Sequence, residues 1–403
     1  MSIEIRPARP DEFPEVVRPI MHYFGRLQAD NEFTARFGPI IPADRIHAAF
    51  EDGEVVGSGG VFPFETGIPG GLIRAAGVTL VGVLPTHRRR GVLTELMRTQ
   101  LADVHKRAEP IAALWASEEA IYGRFGYGLA SLSGEIQLPR THANLRDGAG
   151  AGPVVSLVSA EEAESRLPAI YERVRLQTPG MYARSPEWWE LRQVRDPPEQ
   201  RAGGGEKTFA VVDLDGRDAG YAIYRMRMSW ELGVSTGVLD VIEALADTPE
   251  ATREVWRYLL GLDWVASVKA RLLPVDHPLF HLLVYPRRMQ YRVGDGLWVR
   301  LVDVEAALAA RSFAGEGAVT LELTDELCAW NEGAWTVSAA GVARGGEPEL
   351  RLDVQALASV YLGGFTFAEL ARALRVEVLR EGALARADAL FATAIRPWCP
   401  EIF

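Results

Sequence analysis

The stretch Val78-Thr79-Leu80-Val81-Gly82-Val83-Leu84-Pro85-Thr86-His87-Arg88-Arg89-Arg90-Gly91-Val92-Leu93 decides the fold. Val78 to Leu84 is a near-continuous apolar run rich in β-branched residues, the pattern of a strand buried on both faces. Pro85 and Thr86 end it. Arg88-Arg89-Arg90-Gly91 opens a helix on which Leu93, Leu96, Met97, Leu101 and Val104 recur at three- and four-residue steps. A strand-to-helix turn with glycine at its mouth leaves backbone N–H groups unpaired and pointing outward. Those donors, the positive end of the helix dipole and three consecutive arginines describe an anion site, and glycine lets the backbone approach a pyrophosphate closely. The same residues also suit a basic helix start on a solvated face.

Downstream, Ile111-Ala112-Ala113-Leu114-Trp115 predicts a strand and Glu118 to Arg124 a short helix, and Phe125-Gly126-Tyr127-Gly128-Leu129 leads into another strand. The spacing Arg88-x-x-Gly91-x resembles the coenzyme A loop of the GNAT N-acetyltransferases, Gln/Arg-x-x-Gly-x-Gly/Ala, with Leu93 in place of the last small residue. Pro85-Thr86-His87-Arg88-Arg89-Arg90-Gly91 closely resembles the enhanced intracellular survival (Eis) family of acetyltransferases. So does Ser117-Glu118-Glu119-Ala120-Ile121-Tyr122-Gly123-Arg124-Phe125-Gly126-Tyr127-Gly128. The resemblance implies that the two strands flank a cleft for the pantetheine arm of acetyl-CoA.

The chain has 403 residues, which suits two or three domains, and its 48% apolar and 24% charged content is that of a globular protein with ample core. No apolar run approaches the roughly 20 residues of a membrane span, and Met1-Ser2-Ile3-Glu4-Ile5-Arg6 carries no apolar signal core. Two cysteines, Cys328 and Cys399, form neither a disulfide framework nor a metal pattern, so a cytoplasmic location and no metal are expected. The net charge of −11 argues against nucleic acid as main partner and suits a cationic acceptor such as a polyamine or amino sugar, though many soluble proteins share it.

The fold class expected is α/β (α+β): two tandem GNAT folds, the second degenerate, then a sterol-carrier-like α+β domain. Residues 1–150 form the first unit, with a strand at Ile3-Glu4-Ile5, a helix from Asp11 to Phe24, an irregular segment from Glu32 to Pro42 framing the acceptor entrance, and a hairpin turn at Asp52-Gly53. The loop from Asp147 to Pro153 marks the first boundary. Residues 154–299 begin again with strand and helix, but Asp247-Thr248-Pro249-Glu250 stands where the coenzyme loop would be, and two carboxylates there would repel a pyrophosphate. Residues 300–403 alternate as half-buried strands at Val319 to Leu323 and Trp335 to Ser338, then turn helical. Tyr361-Leu362-Gly363-Gly364 resembles the sterol-carrier-like domain that ends Eis proteins.

The resemblance also implies roles. Arg88, Arg89, Arg90, Gly91 and Val92 would hold phosphate, and the backbone of Val81, Gly82 and Val83 would pair with pantetheine as a strand added to an edge does. Tyr127 would be the general acid that protonates the departing thiolate; a phenol of pKa about 10 stays protonated at neutral pH. The terminal carboxylate of Phe403 would be the general base, carried by a proline-stiffened tail, Pro397-Trp398-Cys399-Pro400-Glu401-Ile402-Phe403. Family members can carry an acid in the penultimate place; here it is Ile402, with Glu401 one step back. The acceptor would be a small-molecule amine of the aminoglycoside or polyamine kind, or a protein lysine, and the assembly a homohexamer without a membrane span.

Two other strings are set aside. Gly233-Val234-Ser235-Thr236-Gly237 matches a nucleophile elbow but lies between two strand-like segments, which predicts a turn. His277 and His281 have metal-like spacing, but Pro278 spoils the helix between them and no third ligand is evident. A non-catalytic acyl-CoA or lipid carrier remains the alternative to an acetyltransferase.

Overall fold

The computed structural model describes residues 3–26, 31–146 and 155–403. Its chain forms two compact units. The first takes the chain up to Ser131 with Leu297–Pro397 and Ile402–Phe403; the second takes Leu132–Gly296 with Trp398–Glu401.

The first unit is built on a seven-stranded sheet in the order Glu4–Pro7, His47–Glu51, Glu54–Ile68, Gly71–Val83, Ile111–Trp115, Leu297–Leu301, Gly128–Leu129. The hairpin at Asp52 and Gly53 has both residues at positive φ, 52° and 84°, as a tight two-residue turn requires. The helix Val92–Lys106 buries Leu96, Met97, Leu101 and Val104 against this sheet, as its apolar spacing predicts, while Leu93 is only partly buried and Val92 is buried beside it. The expected helix from Asp11 to Phe24 is instead broken into Pro10–Glu12, Phe13–Val16 and Arg18–Tyr23. Pro14 and Pro19 lack the N–H that a continuous helix needs, and each sits in the first turn of a new piece. The segment expected to be irregular carries the helix Asn31–Phe37, with Phe33 stacked on Phe37.

The same unit holds a five-stranded sheet, Gly341–Arg344, Gly333–Ser338, Ala318–Thr324, Leu350–Asp353, Val376–Val378. Helices Val354–Tyr361, Phe367–Arg372 and Ala383–Phe391 accompany it. Helix Val354–Tyr361 starts on an Asp353 cap and is buried almost throughout, which places it between layers.

The second unit has its own seven-stranded sheet, Arg292–Asp295, Leu132–Pro139, Ser267–Leu273, Val238–Ala246, Arg217–Arg227, Thr208–Leu214, Val155–Val158. Helices Ala160–Arg175 and Pro249–Gly261 pack on it around Leu167, Tyr171, Trp256 and Leu259. The string at Gly233 is the turn of a small hairpin, Trp230–Glu231 with Val234–Ser235.

The units part after Ser131, ahead of the boundary at 150 expected from sequence, and before Leu297, beside the one expected at 299. Leu132–Pro139 pairs with Ser267–Leu273 in the second sheet, and Leu297–Leu301 pairs with Ile111–Trp115 in the first. The expected boundary loop, 147–153, lies outside the described residues. Among the described residues no helix is long and apolar enough to cross a membrane.

Candidate active site

Strands Gly71–Val83 and Ile111–Trp115 run parallel, but they pair only from Ala75 opposite Ile111 to Gly77 opposite Ala113. Beyond that pair Val78–Val83 keeps its antiparallel partner, Glu54–Ile68, on one edge and has lost the parallel one on the other. A bulge sharpens the parting. The register against Glu54–Ile68 slips between Ser58 and Gly60, and Leu80 takes a positive φ of 53°. A bulge bends its strand and re-aims the backbone groups next to it. Val81, Gly82 and Val83 follow directly. Helix Arg18–Tyr23 lies so close to Gly82 that a Cβ there would meet the backbone of Ile20 at 2.9 Å. The Val83 carbonyl already accepts from the Tyr23 hydroxyl at 2.6 Å.

Pro85–His87 then makes one tight turn and the chain enters helix Val92–Lys106 through Gly91 at φ 83°. Gly91 has no side chain to cap this helix, no partner for its first N–H groups is found among the described residues, and the space around Gly91 is open. The arginines divide. Arg90 forms a salt bridge with Glu51, whose carboxylate also takes the ring Nε2 of His87 at 2.8 Å. The Arg90 hydrogen bond holds the Glu51 pKa below its ordinary value. Arg88 donates from Nε to the Tyr23 hydroxyl at 2.9 Å and lies over that ring. Both therefore brace the loop. Arg89, at φ 61° and exposed, has no hydrogen-bond or ion-pair partner among the described residues.

Tyr127 is fully buried in a cluster with Val78, Met97, Leu114, Tyr122 and Trp298. Its hydroxyl has no hydrogen-bond partner among the described residues, and burial pushes its pKa well above the ordinary phenol value. The glycines on either side explain the loop. Gly126 has φ 81°, and a Cβ there would meet Nε of Arg300 at 2.6 Å. A Cβ on Gly128 would meet the Gln355 carbonyl at 2.2 Å. The loop is thus pressed between Arg300 and helix Val354–Tyr361. An open polar cavity of about 370 Å³ borders Gly123–Gly126, Asp325 and Gln355, and none of its lining residues comes from 78–92.

Phe403 is buried, its ring edge-on to Phe64 at 5.0 Å and to Phe62 at 6.4 Å. Phe64 in turn covers Gly77, the last residue before the strands part. Ile402 is half exposed. Glu401, one step back from the penultimate place, is committed elsewhere. In the second unit it accepts from the Trp188 indole at 2.9 Å and pairs with Arg184 at 3.0 Å and Arg192 at 3.5 Å.

Among the described residues the second unit's corresponding helix end is closed. Thr248 caps helix Pro249–Gly261 by accepting from Ala251 N–H, and the Asp247 carboxylate beside it is held by Arg173 and Arg217. His277 is buried and its Nδ1 accepts from the Leu279 N–H at 3.1 Å, a structural role.

Sequence reasoning missed Leu80, Tyr23, Glu51 and Arg300. Leu80 carries no signal, because a bulge is a property of pairing. Arg300 could have been noticed as a charge in the apolar run Leu297-Trp298-Val299-Arg300-Leu301. Such a residue is buried only with a partner.

The fold is shared with known proteins. Two acetyltransferase (GNAT) domain families match residues 4–130 and 180–301, and the sterol carrier protein domain family matches residues 304–400. An uncharacterized N-acetyltransferase of Streptomyces avermitilis is 37% identical over the full length of both chains. The N-acetyltransferase Eis of Mycobacterium tuberculosis is 36% identical, covering 85% of this chain and 84% of its own. The crystal structure of Eis1 from Mycobacterium abscessus superposes with a TM-score of 0.86 at 34% identity over all of both chains. A GCN5-related N-acetyltransferase from Anabaena variabilis, at 21% identity and a TM-score of 0.85, shares the fold.

Proposed function

Because this chain belongs to the Eis family of GNAT N-acetyltransferases, we propose that it moves the acetyl group of acetyl-CoA to a primary amine by direct attack. The acceptors are aminoglycoside-like or other polycationic amines. The parting of two parallel strands beyond Gly77 and Ala113 carries this reading. An edge without a strand partner takes an extended amide chain by main-chain hydrogen bonds, and pantetheine is such a chain. The bare helix end at Gly91, with Val92 behind it and Arg89 exposed, suits the pyrophosphate. Arg88 and Arg90 hold that loop in shape and add positive charge.

The amine must be neutral to attack, since an ammonium has no lone pair. The Phe403 carboxylate takes its proton, the nitrogen adds to the thioester carbonyl, and an N–H near Val81–Val83 steadies the oxyanion. The C–S bond then breaks as Tyr127 gives its hydroxyl proton to the sulfur; the surplus proton on the acylated nitrogen returns to the tyrosinate, and the Phe403 carboxyl releases the first proton to solvent. Acetamide and CoA thiol leave. A pKa raised by burial keeps Tyr127 protonated until the thiolate forms. Direct transfer needs no side-chain nucleophile. A homohexamer in the cytoplasm, and protein lysine as a further acceptor, follow from the resemblance.

Thiol release from acetyl-CoA across a panel of amines tests the reaction, and the carrier alternative expects none. A C-terminal tag tests the base. Linking any residue to Phe403 removes the carboxylate, so turnover should fall at least about tenfold with acetyl-CoA affinity kept, whereas an N-terminal tag should be harmless. Full turnover by a C-terminally tagged protein of unchanged melting temperature would exclude the carboxylate.

A further inference from the structure

The second unit contains an opening of the same kind as the first, and it is filled. Its strands Val238–Ala246 and Ser267–Leu273 run parallel only from Val238 opposite Ser267 to Val241 opposite Ala270. Beyond them, Val241, Glu243, Ala270 and Leu273 border a gap that Trp398 and Pro400 also line, and about 10 Å³ of it remains. The Trp398 indole N–H donates to the Leu272 carbonyl at 2.6 Å, a residue itself at φ 55°, and the Trp398 amide donates to the Pro179 carbonyl at 2.8 Å. Gly180 is bare where the tail crosses it: a Cβ there would meet the Trp398 carbonyl at 3.0 Å.

Three residues on, Glu401 meets a receptor prepared for a carboxylate. The Trp188 indole donates to both its oxygens, at 3.0 and 2.9 Å, and the wholly buried Arg184 guanidinium lies 3.0 Å away. Arg184 is fixed from behind by Glu243 at 2.6 Å and by the face of Tyr171. A desolvated cation between two carboxylates and an aromatic face is a pre-organised site, and its direction is set before the tail arrives.

We infer that the second unit is a peptide clamp for the chain's own segment Trp398-Cys399-Pro400-Glu401, with the gap between its parted strands as the seat of Trp398. The gap has exchanged a coenzyme for an aromatic side chain, and the helix end that would have held phosphate is closed by Thr248 and Asp247. Phe403 follows Glu401 by two residues, so the clamp fixes the last anchored point before the terminal carboxylate. This consequence for turnover rests on reading that carboxylate as the base; the clamp itself does not.

Cys399 lies inside the clamp at 1% exposure, and Cys328, equally buried in the first unit, is an internal control. Native full-length protein is alkylated with iodoacetamide and each cysteine is followed by peptide mass spectrometry. Trp398→Ala and Glu401→Gln should each speed Cys399 modification at least tenfold while Cys328 and acetyl-CoA affinity stay unchanged. Trp398→Phe keeps an aromatic ring but loses the indole N–H bond to Leu272 and part of the side-chain bulk, so it should give a smaller rise than alanine and serves if the alanine variant fails to fold. Cys399 as protected in these variants as in the parent would overturn the clamp. So would both cysteines accelerating together, which reports general loosening. Turnover separates the two ideas: Cys399 exposed with kcat intact would keep the clamp and refute the carboxylate.

Discussion

Arg300 and Asp325, both wholly buried, are joined by two hydrogen bonds of 2.7 Å from one guanidinium nitrogen to the two carboxylate oxygens. The same guanidinium donates from Nε to the Phe125 carbonyl at 2.9 Å, two residues before Tyr127. Asn331 and the backbone N–H groups of Leu327 and Cys328 complete the carboxylate's partners. The segment matched by the sterol carrier family thus contributes the carboxylate, Asp325, that holds the arginine pinning the loop of the proposed acid.

Breaking that pair should be costly. Asp325→Ala leaves a buried cation unpaired, and a loss of about 3–5 kcal/mol is expected in urea unfolding. Replacing both partners together, Arg300→Met with Asp325→Leu, should cost much less than the sum of the single changes, because the double variant buries no charge. Additive losses would mean that the two side chains act independently.

Gly91→Glu should abolish acetyl-CoA binding in calorimetry. A carboxylate would enter the proposed anion site, and the left-handed backbone at φ 83° costs a side chain about 1 kcal/mol. Gly91→Ala meets no neighbour within 4 Å and should show only that strain, as weakened binding. The parent protein should bind one coenzyme per chain. Two would refute the reading that the second copy is closed.

Tyr127→Phe separates chemistry from packing. The hydroxyl is buried without a partner, so its removal should leave stability unchanged or raise it by up to about 1 kcal/mol. Turnover should fall by roughly 10²–10⁴, the range for losing a general acid, with coenzyme affinity kept. A fall below about fivefold would return Tyr127 to a packing role.

His277 makes the stability pH-dependent. Burial lowers its pKa to about 3, below the ordinary 6.5, so the unfolded chain binds the proton more readily than the native one. Stability is then fully present above about pH 6.5 and lost as the pH falls toward 3, by up to about 1.4 kcal/mol per unit. Denaturant unfolding at pH 7 and pH 5 should differ by about 2 kcal/mol in the parent and by less in His277→Gln. An equal difference in both would assign the effect to other groups.

What the sequence determined by itself is local. The run Val78 to Leu84, the stop at Pro85, the glycine before Val92 and the apolar spacing of helix Val92–Lys106 were all legible, because strand, turn and helix each impose a short-range pattern. The same holds for the hairpin at Asp52-Gly53. Only the tertiary structure decided which sheet received each strand. Leu132–Pro139 mixes polar and apolar residues and Leu297–Leu301 is mostly apolar, and pairing with Ser267–Leu273 or with Ile111–Trp115 leaves no trace in their own residues. It also decided what the charges do. Three arginines in a row look alike in sequence, yet Glu51 claims one, Tyr23 another, and Arg89 is left exposed. Glu401, one step from the expected acid position, is likewise buried under Trp188 and Arg184. Burial and partnership depend on residues far away in the chain, so chemistry at this site is set by contacts that no local pattern encodes.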